Sequence, residues 1–501
     1  MKKTPQNSLG VFHHEWHKQE GSCPACVQQE LLRCLLDQGD KEFHHRLQAC
    51  WPLDPLAVYG ALPTPLRLHA DSRFTGRGVT LCFIDSGFYP HPDLVKPKNR
   101  IKAWVNAGKK KLEVHEFRAD ETPVWPNWND LAPSRWHGLM TSCVGAGNGY
   151  LSEGLYRGLA SDADLVLICI RDAEGHYTEE SIVRALCWVE SHAKRLGIRV
   201  VNISVGGEPR NEPEPNELDS TVDRLVSSGI VVTAAAGNNG ERVLAPPATS
   251  PSAITVGGID DKNSFDHEAL EIWHSNYGLG VGSVSKPELV APSLWVVAPI
   301  LCGSTVSEEA QKLFEADVLD TEKIRNQALV TPHYKHVEGT SFAAPLCASA
   351  VACLIEAVPD ISPSMVKEVL LKTAEGVKAA SAQRQGAGVL RPGLAIAEAL
   401  RHEHKALSQY RKLPHLTEQT VTFVLHDHDA AQVRVVTSWD NWKEPIDLKV
   451  VESGVWKKRI ARPRTGRHLY KFVIDDKWLD DPSNPSKEPD GFGGYNSVLE
   501  L

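Results

Sequence analysis

Gly339-Thr340-Ser341-Phe342-Ala343-Ala344-Pro345 is the stretch on which the reading of this chain turns. A tight Gly-Thr turn delivers one serine to a run of small residues, which continues as Leu346-Cys347-Ala348-Ser349-Ala350-Val351-Ala352-Cys353-Leu354-Ile355. That run is apolar nearly all round, which predicts a buried, close-packed helix. Its first turn offers backbone N–H groups without intrahelical partners, at the positive end of the helix dipole. A hydroxyl there can attack a carbonyl and have the resulting oxyanion stabilised. Pro345 falls in the first turns, where a missing N–H costs least. A serine that only caps a core helix fits the same seven residues, so its partners decide.

A nucleophilic serine needs a base, and the base needs an orienting carboxylate. Val79-Thr80-Leu81-Cys82-Phe83-Ile84 is apolar on both faces and predicts a central parallel strand, closed by Asp85-Ser86-Gly87. An acid at the carboxyl end of a buried strand stands where open α/β sheets place their sites. The base candidate is His137, ahead of a helix dense in small residues, Gly138-Leu139-Met140-Thr141-Ser142-Cys143-Val144-Gly145-Ala146. A second buried strand, Gly229 to Ala236, ends in Gly237-Asn238-Asn239-Gly240. The Asn238 amide is placed to donate to a developing oxyanion.

In this order the segments resemble the subtilisin-like serine peptidases, the subtilases. The resemblance runs from about Phe74 to Leu400, and it implies Asp85 as orienting acid, His137 as general base and Ser341 as nucleophile. It also implies Asn238 and the Ser341 N–H as oxyanion donors. Asn202-Ile203-Ser204-Val205-Gly206-Gly207 resembles the family's substrate edge, so Ser204, Gly206 and Gly207 are expected along a peptide paired as an added strand. The chain departs from the family pattern in three places: Leu139 replaces the usual threonine, Val124 to Trp128 is a Trp-rich insertion, and about Trp295 to Glu338 is a longer one. A charged, helix-like piece, Ser307 to Arg325, is expected to overhang the cleft. The resemblance leaves calcium binding open. The expected fold is α/β, a mostly parallel sheet flanked by helices, followed by a small Ig-like β-sandwich.

With 501 residues the chain holds more than one core, and a net charge of −9 gives no basic excess to suggest nucleic acid. No stretch reads as a membrane span, and Met1-Lys2-Lys3 has no apolar run behind it, so no signal peptide and no membrane partner are expected. The 11 cysteines, an odd number without framework spacing, point to free thiols and a cytoplasmic setting. Residues 1–70 form an extension in which Cys23 and Cys26, with His13 and His17, are candidate zinc ligands, while Cys34, His44, His45 and Cys50 compete with them. A helical extension with free thiols, or an inhibitory arm, fits the same residues.

The peptidase-like domain is expected over 71–402 and a polar linker over 403–418, after which 419–501 turns to short alternating strands. Alternation in Tyr470-Lys471-Phe472-Val473-Ile474 sends Tyr470, Phe472 and Ile474 to the core and Lys471 the other way. This segment resembles the glycogen-binding domains of AMP-activated kinase β subunits and family 48 carbohydrate-binding modules. That implies Trp442 and Trp478 as stacking platforms, Lys471 and Asn496 as hydrogen-bonding groups, and Phe492 as an apolar loop contact. The expected activity is a serine endopeptidase, without a catalytic cofactor, tethered to glycogen or a related α-glucan. A silent or occluded scaffold that binds glucan or protein is the rival reading.

Overall fold

The computed structural model describes residues 61–501 except 128–133, 173, 211–212, 265–268, 317–319, 379, 411–413, 418, 428–429, 453, 485 and 493. The zinc candidates His13, His17, Cys23 and Cys26, their rivals Cys34, His44, His45 and Cys50, and Trp128 therefore lie outside the described residues. Two compact units divide between Ala399 and Leu400.

In the first unit a central sheet is formed by β1 (Thr80–Asp85), β2 (Ile101–Asn106), β3 (Glu113–Glu116), β4 (Asp164–Cys169), β5 (Ile198–Ile203), β6 (Val231–Ala235), β7 (Ile254–Asp260), β8 (Glu271–Ile272) and β9 (Leu289–Pro292). Its order is β9-β7-β6-β5-β1-β4-β2-β3, with β8 on β7. Pairing is parallel except at β3 and β8. Every residue of β1 is buried, as expected of a strand covered on both faces.

The flanking helices are α1 (Ser134–Ala146), α2 (Glu179–Leu196), α3 (Glu217–Ser227) and α4 (Thr340–Ala357). Ile182, Leu186 and Val189 of α2 join Leu218, Val222 and Leu225 of α3 over Cys82, Ile84, Val166, Val201 and Val232 of the sheet. Local signals set the ends of α2: Thr178 and Ser181 form a capping box, and Gly197 closes the helix at φ 70°. The helix α4 is long and apolar enough to cross a membrane, which the sequence reading did not register, but Phe342 to Ile355 are buried inside the fold. It packs closely on α1 because Gly145 has no Cβ; one built there would lie 3.1 Å from Pro345 O.

The insertion before Ser341 is more than one helical piece. Strands Val296–Pro299, Leu329–Thr331 and Tyr334–Val337 make an antiparallel sheet, and two helices, Thr305–Glu315 and Thr321–Asn326, pack Ala310 and Ile324 against Ile300 and Leu329. Asp320 caps the second helix by accepting from Lys323 N, which separates it from the first. Val297, Val330 and Tyr334 pack on Ala61, Leu62, Leu155 and Tyr156. Residues 61–68 are thus part of this unit, and Arg67 fastens them through a buried ion pair with Asp261. In the Trp-rich insertion, Trp125 is buried and stacks on Trp104 of β2 at 5.5 Å.

The linker expectation needs correction: a helix runs from Pro392 to Tyr410, through residues that read as polar linker. Their helical propensity outweighs their polarity. In the second unit, a four-stranded and a six-stranded antiparallel sheet enclose Val421, Phe423, Val433, Val435, Tyr470, Phe472 and Leu499 as a β-sandwich.

Candidate active site

The carboxyl end of β1 delivers Asp85 to the middle of the sheet, where it is 1% exposed. Four donors meet it. His137 Nδ1 lies 2.7 Å from Oδ1, Ser86 N and Oγ donate to the same oxygen at 2.6 and 3.1 Å, and Thr141 Oγ1 donates to Oδ2 at 2.9 Å. His137 and Thr141 are four residues apart on α1 and so share the helix face turned to Asp85. His137 stands inside the first turn of α1, where the sequence reading placed it just before the helix. The helix approaches this closely because residue 138 is glycine; a Cβ there would stand 2.0 Å from Gly87 O.

Accepting carboxylate oxygens fix the His137 tautomer with its proton on Nδ1, leaving Nε2 as the basic nitrogen. Burial lowers the tendency of this imidazole to protonate, but the Asp85 charge and hydrogen bond outweigh it. The net result is raised from the ordinary histidine value, with the Arg171 charge opposing. Arg171 arrives because β4 runs parallel to β1 with Asp85 opposite Cys169.

Gly339 precedes α4 at φ 126°, a backbone conformation that favours glycine, and Ser341 follows in the first turn. Ser341 Oγ donates to Ser204 O at 3.3 Å, and Ser204 Oγ donates back to Ser341 O at 2.9 Å. Among the described hydrogen bonds Ser341 Oγ has none to His137, although the His137 ring stands 5.9 Å from that of Phe342. Asn238 follows the end of β6. Its Oδ1 accepts from Thr340 N at 3.0 Å and from Thr340 Oγ1 at 2.8 Å, so Nδ2 is left as the outward donor. Thr340 Oγ1 also accepts from Gly237 N at 3.0 Å, and Asn276 Oδ1 accepts from Asn239 N at 2.8 Å.

Along the expected substrate edge, Ser204 is turned inward, 4% exposed, held to Ser341 and to Asn202 Nδ2 at 2.9 Å. Gly206 and Gly207 are half-buried beyond the end of β5, with Gly207 N donating to Pro246 O at 2.7 Å. A Cβ on Gly207 would meet Glu179 Oε1 at 2.2 Å. Sequence reasoning missed Thr141, Thr340, Arg171 and Asn276. Thr141 and Thr340 had a legible signal, one four residues after the histidine and one immediately before the serine.

In the sandwich, Trp442 and Trp478 come together, their rings 6.4 Å apart and inclined by 50°. Trp478 is half exposed, and Phe492 stands almost wholly in solvent. Lys471 differs from the expectation: it is 9% exposed, and its ammonium lies 2.5 Å from Asp490. Its strand has neighbours on both faces, which alternation alone does not reveal. Lys471 and the N–H groups of Phe492 and Gly494 hold the Asp490 carboxyl down to about 2. The pairing of Tyr470 with Ser497 sets Asn496 next to Lys471 in strand register.

A parallel sheet with an acid, a histidine and a helix-start serine in that chain order is the architecture of a subtilisin-like α/β protein. Residues 76–388 match the model of the subtilase family, peptidase S8, which is more than half of the chain. The chain belongs to that family. Residues 420–501 match the glycogen recognition site of AMP-activated protein kinase. Serine protease AprX of Bacillus subtilis (strain 168) is 29% identical over 327 residues, 63% of this chain, which spans 65% of that protein's length. Subtilisin BL of Lederbergia lenta is 26% identical over 302 residues, 60% of this chain and 84% of its own. Among solved structures, fervidolysin of Fervidobacterium pennivorans, a keratinolytic enzyme related to subtilisin, matches at 19% identity with a TM-score of 0.48. That match covers 83% of this chain and 54% of fervidolysin.

Proposed function

We propose that the chain is a serine endopeptidase that hydrolyses peptide bonds through an acyl-enzyme, and that its terminal sandwich tethers it to glycogen or a related α-glucan. The observation that carries this reading is the buried Asp85 bonded to His137 Nδ1 at 2.7 Å, on a helix packed against the one whose first turn carries Ser341. Ser341 Oγ attacks the carbonyl carbon while His137 Nε2 takes its proton, and Asp85 stays ionised to hold the imidazolium. Asn238 Nδ2 and the Ser341 N–H receive the oxyanion. His137 then gives the proton to the leaving amine, and water attacks the ester by the same route. Rotation about χ1 brings Ser341 Oγ from Ser204 O to His137. The backbone at Gly206 and Gly207 pairs with the substrate. No cofactor takes part in these steps.

The tilted Trp442 and Trp478 rings support a glucan-facing surface, since flat aromatics match the C–H faces of glucose. Cys82, Cys143, Cys169, Cys187, Cys302, Cys347 and Cys353 are all free, which supports work in the reducing cytoplasm. The rival reading, a silent scaffold, is favoured by the Ser341 hydroxyl being engaged with Ser204 O. A fluorophosphonate probe separates the two: it labels the full chain and not Ser341→Ala if the peptidase reading holds, and labels neither if the scaffold reading holds. Co-sedimentation with glycogen, lost in Trp442→Ala/Trp478→Ala, tests the tether. Sedimentation unchanged in that variant would count against it.

A further inference from the structure

We propose, on the peptidase reading above, that Arg171 is a specificity-determining residue whose guanidinium receives an acidic side chain of the peptide lying along Gly206 and Gly207.

Strand order makes the groove. β1 lies between β5 and β4, with Ile84 opposite Ile203 on one side and Asp85 opposite Cys169 on the other. The segments that follow β5 and β4, residues 204–208 and 170–177, therefore stand on either side of the turn after Asp85. Beyond them the two walls are tied together: Glu179, the first residue of α2, accepts from Glu208 N at 2.9 Å and from Arg210 Nη2 at 3.0 Å. A peptide paired with the Gly206 and Gly207 backbone lies about 4.8 Å from it, and alternate side chains of that peptide turn to the same face. One set of them faces the protein.

Arg171 is the cation that the second wall offers. It lies two residues past the end of β4 and is half-buried. Its Nη1 donates to Gly175 O at 2.9 Å, and its guanidinium stands 5.8 Å from the ring centre of Tyr177, which is 38% exposed. These contacts hold the group at the lip of the groove, and neither neutralises it. Among the described residues Arg171 has no carboxylate partner, Nη2 makes no hydrogen bond, and Nε is buried without one. The neighbouring acids are engaged elsewhere: Asp172 accepts from His176 N at 2.8 Å, and Glu179 is paired with Arg210.

A half-buried guanidinium with unmatched donors gains from a carboxylate, whose paired oxygens fit its planar fork. A neutral amide of the same shape offers one oxygen and no charge. The Arg171 charge also opposes the His137 imidazolium, so a substrate carboxylate that neutralises it favours proton transfer to His137.

The test compares peptides that differ only in Asp or Asn at each position in turn around the cleaved bond, using the full chain. At one position the Asp peptide should be cleaved with about tenfold higher kcat/KM. Because the Asp-to-Asn ratio is taken within each variant, general losses of activity cancel. In Arg171→Met, which keeps the stem on Tyr177, the ratio should fall to about one. In Arg171→Glu the preference should invert to Lys at the same position, which a purely structural arginine would not produce. Arg171→Lys keeps the charge without the fork and should lower the ratio; it decides if the other variants do not fold. A second readout is independent of turnover: Ser341→Ala should bind the Asp peptide about tenfold more tightly than the Asn peptide by fluorescence anisotropy, and Arg171→Met/Ser341→Ala should not. The proposal is overturned by a ratio near one at every position in a chain that a fluorophosphonate labels, or by a ratio unchanged in the Arg171 variants. Selective binding through Arg171 in a chain that the probe does not label would uphold the acidic-peptide site and refute the peptidase reading.

Discussion

Replacing Asp85 by asparagine tests how this site sets the protonation of its histidine. An amide has one accepting and one donating end, so its orientation decides the outcome. The Oδ1 position faces three donors, His137 Nδ1, Ser86 N and Ser86 Oγ, whereas Oδ2 faces only the Thr141 hydroxyl. Thr141 can turn, because its Oγ1 already lies 3.2 Å from Gly138 O and can donate there while accepting from the new amide. The amide oxygen therefore takes the Oδ1 place, and His137 keeps its proton on Nδ1. What is lost is the charge. At close range and an effective dielectric near 20 that charge is worth about 4 kcal/mol to the imidazolium, or roughly 10³-fold in kcat/KM. Burial and Arg171, which both lower the affinity of His137 for a proton, are then opposed only by the retained hydrogen bond. The acid limb of the kcat/KM profile should move to lower pH in Asp85→Asn, and the Nδ1 proton should remain visible by NMR. An acid limb that stays or moves upward, or loss of the Nδ1 proton, refutes the reasoning.

The remaining predictions address other contacts. Asn238→Ala should lower kcat about 10²–10³-fold with little change in KM, a size established on subtilisin itself. Thr340→Val, which frees the Asn238 amide to turn, should cost about tenfold in the same steady-state assay. Arg67→Ala strands the buried Asp261 carboxylate and should destabilise the first unit by about 3–5 kcal/mol in denaturant titrations. Arg67→Met/Asp261→Leu should recover most of that, and equal losses in both variants would contradict it. Because Asp490 titrates near 2 in the folded sandwich, its contribution is fully present above the ordinary carboxylate range and is lost as pH falls through about 2. Lys471→Met should shift that acid transition upward in tryptophan fluorescence, and an unchanged midpoint would argue against the pairing.

Asp85, His137 and Ser341 were legible because each sits at the end of an element whose local pattern is strong: an all-apolar strand, a small-residue helix, a Gly-Thr turn. Asn238 was legible for the same reason, as the amide after a buried strand. Thr141 offered only its place four residues after His137, because a threonine inside a helix gives no further sign of what lies across from it. The strand with Lys471 shows the limit of alternation: period two names the two faces but not whether one of them is covered. The polar residues up to Tyr410 read as linker because composition does not report helix propensity.

By itself, then, the sequence determined the residue types, their order and the elements they terminate, since these follow from local propensity and hydrophobic pattern. The tertiary structure alone decided which of them meet. Strand order sets Cys169 opposite Asp85 and so brings the Arg171 charge to bear on His137, and a missing Cβ at Gly138 brings α1 onto the turn after β1. Sheet packing tucks Lys471 against Asp490, and the insertion carries Tyr334 to Asp93 across 241 residues. Such meetings depend on register and burial summed over the whole fold, and no short window of sequence contains them.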